Sequence, residues 1–137
     1  MDKPFYSDSL AKLFLRLSVG GLLLFHGIHK VRHGIDGIEG MLTNAGLSTS
    51  LAYGVYLGEV VAPILILLGF MTRPMALFAA FTMLASIYLG FGSDAFGLNE
   101  YGGLNVELNL LYFAGAMALF FAGGGRFSVT GGEGRWN

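Results

Sequence analysis

Several ionisable side chains interrupt stretches that are otherwise apolar. Arg16, His26, His29 and Lys30 fall in one, Glu59 in a second, and Glu107 in another. Ionisable groups among apolar neighbours are costly and usually pair. A carboxylate within reach of a His or Lys can also pass a proton to a bound group. The spacing brings some of these together. His26 and Lys30 are four apart, and His26, His29 and His33 fall at i, i+3 and i+7, so on a helix they share one face. Tyr56, Glu59 and Pro63 share a face of the second stretch. Asn105, Asn109 and Tyr112 share a face of the last, and Glu107 points away from them. Other readings stay open. Lys30, His29 and Arg16 suit snorkelling to a membrane surface, Glu59 a structural ion pair, and Glu107 an interfacial position. Three His also raise metal or haem ligation. A haem needs an axial His facing a flat cavity, which no spacing displays, and no metal site is assigned.

These residues need long apolar elements to position them. The chain has 137 residues, of which 54% are hydrophobic and only 12% charged. Its mean hydropathy is +0.64. So few charges cannot cover the surface of a small soluble domain, and so apolar a chain does not stay disordered. A net charge of −1 excludes a mainly electrostatic nucleic-acid binder. The absence of Cys excludes disulfides, Cys-ligated zinc, iron–sulfur clusters and thiol redox chemistry. The composition is that of an integral membrane protein in a lipid bilayer.

Four stretches are candidate membrane helices: residues 10–31, 51–70, 74–91 and 104–122. Each is near the ~20 residues that span a bilayer core. They are apolar all round and lack the alternation of barrel strands. Gly69 can close the second helix, Thr72 can cap the third, and Pro74 suits a first turn, so a tight antiparallel hairpin is expected there. The expected fold is an all-α, integral membrane, four-helix antiparallel bundle forming one domain over residues 1–137. Ile35, Ile38, Leu42 and Ala45, with Asp36 and Glu39 among them, predict a short amphipathic segment in the first outer loop. Gly20, Gly21, Gly27, Ala76, Ala79, Ala80, Gly115, Ala116 and Ala118 permit close helix packing.

Lys3, Lys12, Arg73, Arg126 and Arg135 fall on one side of such a bundle, and Lys30 and Arg32 on the other. The positive-inside rule then places both termini in the cytoplasm. The first stretch is long and interrupted by Arg16, so it reads as a membrane helix and not as a cleaved leader. With this topology His26 and Lys30, Glu59 and Glu107 fall in the outer half of the bundle.

The motifs together resemble the DoxX family of small four-helix bacterial membrane proteins, over roughly residues 10–128. Leu15-Arg16-Leu17 and His26-Gly27-Ile28-His29-Lys30 are similar to its first-helix Arg and His-Gly-x-x-Lys pattern. Glu59 in Leu57-Gly58-Glu59-Val60 is similar to its second-helix Glu. Gly69-Phe70-Met71-Thr72-Arg73 resembles its Gly-x-x-Thr-Arg turn. Gly102-Gly103-Leu104-Asn105-Val106-Glu107-Leu108-Asn109 resembles its fourth-helix Glu motif, and Gly124-Gly125-Arg126-Phe127-Ser128 its terminal Gly-rich turn. Residues 129–137 match no family pattern.

The resemblance implies a multi-pass protein of the bacterial cytoplasmic (inner) membrane. The family's naming member is associated with a thiosulfate:quinone oxidoreductase. On that footing the first reading is a quinone-linked oxidoreductase subunit, with a quinone as cofactor and a membrane or peripheral redox partner. Glu59, His26 and Glu107 are then the candidate catalytic groups, and Arg16, Lys30, Tyr56 and Asn109 the candidate binding groups. Related four-helix families include cargo receptors and assembly factors, so fold alone does not settle function. The alternatives are a non-enzymatic scaffold or assembly partner and, third, a small-solute or proton permease. Four helices form a narrow bundle, so a permease path would call for an oligomer.

Overall fold

The computed structural model describes residues 5–137. Lys3, counted above among the cytoplasmic charges, lies outside the described residues. The described chain is mostly helical, with one isolated antiparallel bridge, Leu98 to Leu104, and no strand. Helix α1 spans Asp8–His33, α2 Asp36–Asn44, α3 Thr49–Leu68, α4 Thr72–Gly90 and α5 Glu107–Ala122. Helices α1, α3, α4 and α5 run up, down, up and down, each packed on the next, and α5 returns to α1.

The first three long helices are long and apolar enough to cross a bilayer. Helix α5 has 16 residues, about 24 Å at 1.5 Å per residue, and is the shortest of the four. Residue 104, expected inside it, belongs instead to the preceding loop. There Asn105 donates from Nδ2 to the Asp94 carbonyl at 2.8 Å, and Val106 is fully buried. The short segment expected in the first loop is α2. It buries Leu42 against Ile35 and Ala52, with Ile38, Tyr56 and Leu89 packed around them.

The bundle core is narrow because its contacts are small. Ala76, Ala79 and Ala80 of α4 and Ala116 of α5 are buried, and Val19, Leu23, Ile66, Met83, Tyr112 and Leu119 fill the rest. Ala118, also expected at a close contact, faces outward. The outer surface carries Phe14, Leu22, Phe25, Phe81, Leu111 and Phe121. Apolar rings outside and small residues inside are the inverse of a soluble bundle and suit a hydrocarbon solvent.

The α3–α4 hairpin closes on Gly69, whose left-handed φ of 72° lets its N–H reach the Leu65 carbonyl at 2.9 Å while Phe70 N–H reaches the same oxygen at 3.0 Å. Pro74 sits in the first turn of α4. Thr72 does not cap that helix. Met71 occupies the cap position, and Thr72 is buried with its Oγ1 unpartnered among the described residues. The cap comes from the far end of the chain. Asn137 Oδ1 accepts from Met71 N–H at 2.7 Å, and the Trp136 carbonyl accepts from Arg73 N–H at 3.0 Å. Distant groups thus satisfy donors that the local side chain was expected to satisfy.

Gly27 sets the α1–α3 distance. A Cβ there would collide with the backbone carbonyl of Glu59, which cannot move without shifting α3. Gly27→Ala is therefore expected to destabilise the protein by roughly 1–3 kcal/mol through overpacking. Gly21→Ala is the control, because its Cβ would meet only Leu67 Cδ2 at 3.9 Å, an ordinary contact. Melting temperatures of the two variants in one detergent check this. Equal behaviour would show that α1 and α3 do not depend on this approach.

Candidate functional site

Two helices of the bundle contain a π turn, in which the repeat widens by one residue. One spans Leu17–Gly21, just after Arg16, and the other Leu57–Val61, around Glu59. Such turns interrupt the ordinary hydrogen-bond ladder and recur at functional sites. Two glycines seat the second one. Gly27 admits the Glu59 backbone on the α1 side, and Gly58 admits Thr82 of α4 on the other. The widened turn aims the Glu59 side chain into the bundle, where it is 4% exposed.

One helical turn beyond Gly27, Lys30 reaches across and donates a hydrogen bond from Nζ to Glu59 Oε2. The pair is asymmetric: the Glu59 side chain is 5% exposed and that of Lys30 25%. Around it lies a cavity of about 130 Å³ walled also by His26, Ser86, Asn109, Tyr112, Leu23, Met83 and Leu108. Asn109 donates from Nδ2 to Ser86 Oγ at 2.6 Å, and the Ser86 hydroxyl in turn donates a hydrogen bond to the Met83 carbonyl at 2.9 Å. His26 meets Tyr112 edge-on, with ring centroids 5.9 Å apart and planes at 85°.

Much hydrogen-bonding capacity on this cavity remains unspent. Lys30 carries three N–H donors and uses one. The second Glu59 oxygen, the Asn109 carbonyl and the Tyr112 hydroxyl have no protein hydrogen-bond partner among the described residues. Donors and acceptors of both kinds, with charges that cancel, suit a small neutral group bearing carbonyl or hydroxyl oxygens.

Of the residues expected at a site, His26, Lys30, Glu59 and Asn109 line this cavity, and Arg16, Tyr56 and Glu107 do not. Arg16 lies toward the opposite end, 2% exposed, and its guanidinium donates to the carbonyls of Ile66, Leu67, Gly124 and Phe127. Tyr56 packs under α2 because the π turn that follows it breaks the three-residue spacing to Glu59. Glu107 opens α5 on an exposed face, beside Gly103, so the two carboxylates are not brought together. His29 and His33 stack at 4.3 Å on the exposed end of α1, away from His26's neighbours. Ser86 carries no motif in the sequence, and Tyr112 shows there only a face shared with Asn109. The available signal for Ser86 was a hydroxyl four residues after Thr82 in an otherwise apolar span.

The family model for DoxX matches residues 11–92, well over half of the chain. The chain belongs to the DoxX family. No curated protein and no solved structure matches it significantly. The DoxX match runs from α1 to just beyond α4 and includes Arg16, His26, Lys30 and Glu59. Helix α5, with Asn109 and Tyr112, and the Gly-rich turn after it lie beyond the matched residues. This DoxX protein is thus an integral membrane protein whose ion pair falls within the family's own segment, while the cavity's opposite wall comes from residues that the match does not cover.

Proposed function

We propose that the protein is a quinone-linked oxidoreductase subunit whose headgroup site is the cavity walled by Lys30, Glu59, Asn109 and Tyr112. The observation that carries this is the convergence of a buried ion pair and unspent donors and acceptors on one small cavity. Its volume of about 130 Å³ is close to that of an engineered cavity, ~150 Å³, that takes benzene, so it suits one six-membered ring. A bound quinone supplies a couple that exchanges two electrons and two protons. The spare N–H groups of Lys30 and the Tyr112 hydroxyl are placed to hold a carbonyl oxygen. The Asn109 carbonyl can accept from a hydroxyl. Glu59 has one oxygen on Lys30 and the other free to take up or release a proton, and Lys30 balances the charge that this leaves. His26, exposed on one side and against Tyr112 on the other, extends the polar path outward. Electrons would come from a membrane or peripheral redox partner.

This reading is tested by titrating the purified protein with a benzoquinone that bears a decyl chain. Lys30→Met and Asn109→Leu should each weaken binding about tenfold, the loss of one charge-assisted or strong polar contact. Tyr56→Phe, outside the cavity, should leave it unchanged. No saturable binding, or an equal loss in Tyr56→Phe, would overturn the proposal.

We also propose that the protein sits in a bacterial cytoplasmic membrane with both termini inside. Lys12, Arg73, Arg126 and Arg135 cluster at the bundle end that holds the start of α1 and Asn137. At the other end Lys30 is tied to Glu59, so Arg32 is the remaining Lys or Arg among the described residues. The asymmetry sets orientation through the positive-inside rule. A reporter fused after Asn137 that works only outside the cytoplasm should stay inactive, and activity there would reverse the orientation.

A second reading has a specific observation behind it. The Lys30–Glu59 pair joins α1 to α3 directly, so it can hold a scaffold's bundle together without chemistry.

A further inference from the structure

We infer that the ligand of this site carries an apolar chain, and that the chain lies in a groove between α2, α3 and α4 that opens onto the hydrocarbon of the bilayer. The inference rests on the reading of the polar cavity as a ligand site and adds the class of molecule and its route. The groove has a volume of about 580 Å³, within the 300–1,000 Å³ usual for ligand sites. It shares Lys30, Glu59, Ser86 and Asn109 with the polar cavity, so the two adjoin at these side chains.

The polarity of the groove is concentrated at that shared end. Beyond it the walls are mostly apolar, as at Leu51, Val55, Phe81, Ala85 and Leu89, and the exposed Tyr88 adds a hydroxyl in the last turn of α4. Thr82 also lines it, but its hydroxyl is spent on the Phe78 carbonyl at 2.9 Å. Leu57, Phe78 and Phe81 wall the groove and are exposed on the outer faces of α3 and α4, so its mouth lies on the lipid side. Helix α2 roofs it toward the aqueous surface with Ile38, Met41 and Leu42. A water-soluble substrate gains nothing from such a channel. A chain-bearing molecule dissolved in the bilayer gains burial of its chain at roughly 0.8 kcal/mol per CH₂ relative to water, and a path that keeps it in hydrocarbon throughout.

The head must be neutral. Lys30, the Lys or Arg that lines the inner end among the described residues, is already paired with Glu59, so a phosphate headgroup would add an unbalanced negative charge beside a buried carboxylate. A ring or alcohol with carbonyl or hydroxyl oxygens meets no such penalty. The occupant is therefore a neutral-headed membrane amphiphile and not a phospholipid.

Gly54 offers a clean test. It lines the groove, and a Cβ there meets nothing within 4 Å, so a larger side chain fills the groove without displacing backbone. Two photoreactive probes, a benzoquinone and a primary alcohol, each bearing a ten-carbon chain ended by a diazirine, are added to the full chain in phosphatidylcholine nanodiscs. Labels are expected on Leu51, Val55, Phe81 and Leu89 and should be displaced saturably by unlabelled decyl-benzoquinone. Gly54→Trp should cut this labelling at least fivefold and leave binding of chainless methyl-benzoquinone within twofold. Labels spread equally over Phe14, Phe25 and Leu111 would overturn the inference, as would unchanged labelling in Gly54→Trp. If that variant does not fold, the label map on the parent protein decides. If the alcohol labels the groove saturably and neither quinone binds, the chain inference stands and the quinone reading falls. If neither probe labels the groove, the inference falls.

Discussion

Arg16→Met should lower stability by roughly 2–4 kcal/mol and leave ligand binding at the polar cavity intact. The reason is where the guanidinium spends its donors. Nε donates to the Ile66 carbonyl at 2.8 Å and Nη2 to that of Leu67 at 2.5 Å. These are last-turn carbonyls of α3, where the intrahelical ladder runs out; that of Ile66 also accepts from Gly69 N–H at 3.1 Å, and Leu67 depends on Arg16. Nη1 donates to Gly124 at 3.1 Å and Phe127 at 2.5 Å, in the turn that follows α5. One side chain on α1 thus ties down the ends of two other helices, and its charge also favours the negative end of the α3 dipole. No carboxylate contacts it among the described residues. Met fills similar space but leaves four carbonyls without this donor, at about 1–3 kcal/mol for each that stays dry. The lower total assumes that water reaches some of them near the bundle's end. Arg16→Lys should fall between, because an ammonium cannot reproduce the planar fork. Melting in detergent measures the loss, and protease cleavage within residues 123–137 should quicken as the turn detaches. A Met variant as stable as the parent, or one that loses quinone binding at normal stability, would return Arg16 to the ligand site.

Arg16 also shows why its own place, away from the candidate site, was hidden in the sequence. Its partners are backbone carbonyls, and a carbonyl has no residue type to recognise. The rule that buried charges pair points toward a carboxylate, and here the pairing is with helix ends instead. The Lys30–Glu59 contact was more accessible. Antiparallel helices of known length place residues at countable depths, and a deep carboxylate requires a cation at the same depth. Tyr56 failed on a finer point. Its spacing to Glu59 is right for an α-helix and wrong for the π turn at Leu57–Val61, which nothing in Leu-Gly-Glu-Val-Val announces. Glu107 depended on where α5 begins. The loop before it is held by an Asn105–Asp94 contact between residues eleven apart, so the helix starts later than hydropathy suggests. The membrane bundle itself was legible because hydropathy over ~20 residues averages out such local detail.

The largest functional effect is expected at the ion pair, and a double-mutant cycle separates chemistry from scaffolding. Glu59→Gln keeps the shape and can still accept a hydrogen bond from Lys30, but it cannot exchange a proton near neutral pH. Quinone-dependent turnover should fall at least 10²-fold, the lower range for loss of a general acid–base group. Stability should fall by only about 1–2 kcal/mol, less than the 3–5 kcal/mol of a fully buried pair, because Lys30 retains partial access to solvent. Lys30→Met should cost more, since it leaves the nearly buried Glu59 carboxylate with no counter-charge. The double variant Lys30→Met with Glu59→Leu removes both charges at once. Apolar replacement of a buried pair is often neutral or stabilising, so its melting temperature should recover to near that of the parent. Its turnover should not recover. If the pair only holds α1 against α3, recovery of stability should bring back whatever the protein does, because a scaffold needs its shape and no proton. A double variant that is stable and as active as the parent would therefore sink the catalytic reading. A double variant that is stable and inactive requires Glu59 and Lys30 for the reaction itself, since the bundle that positions them is then intact.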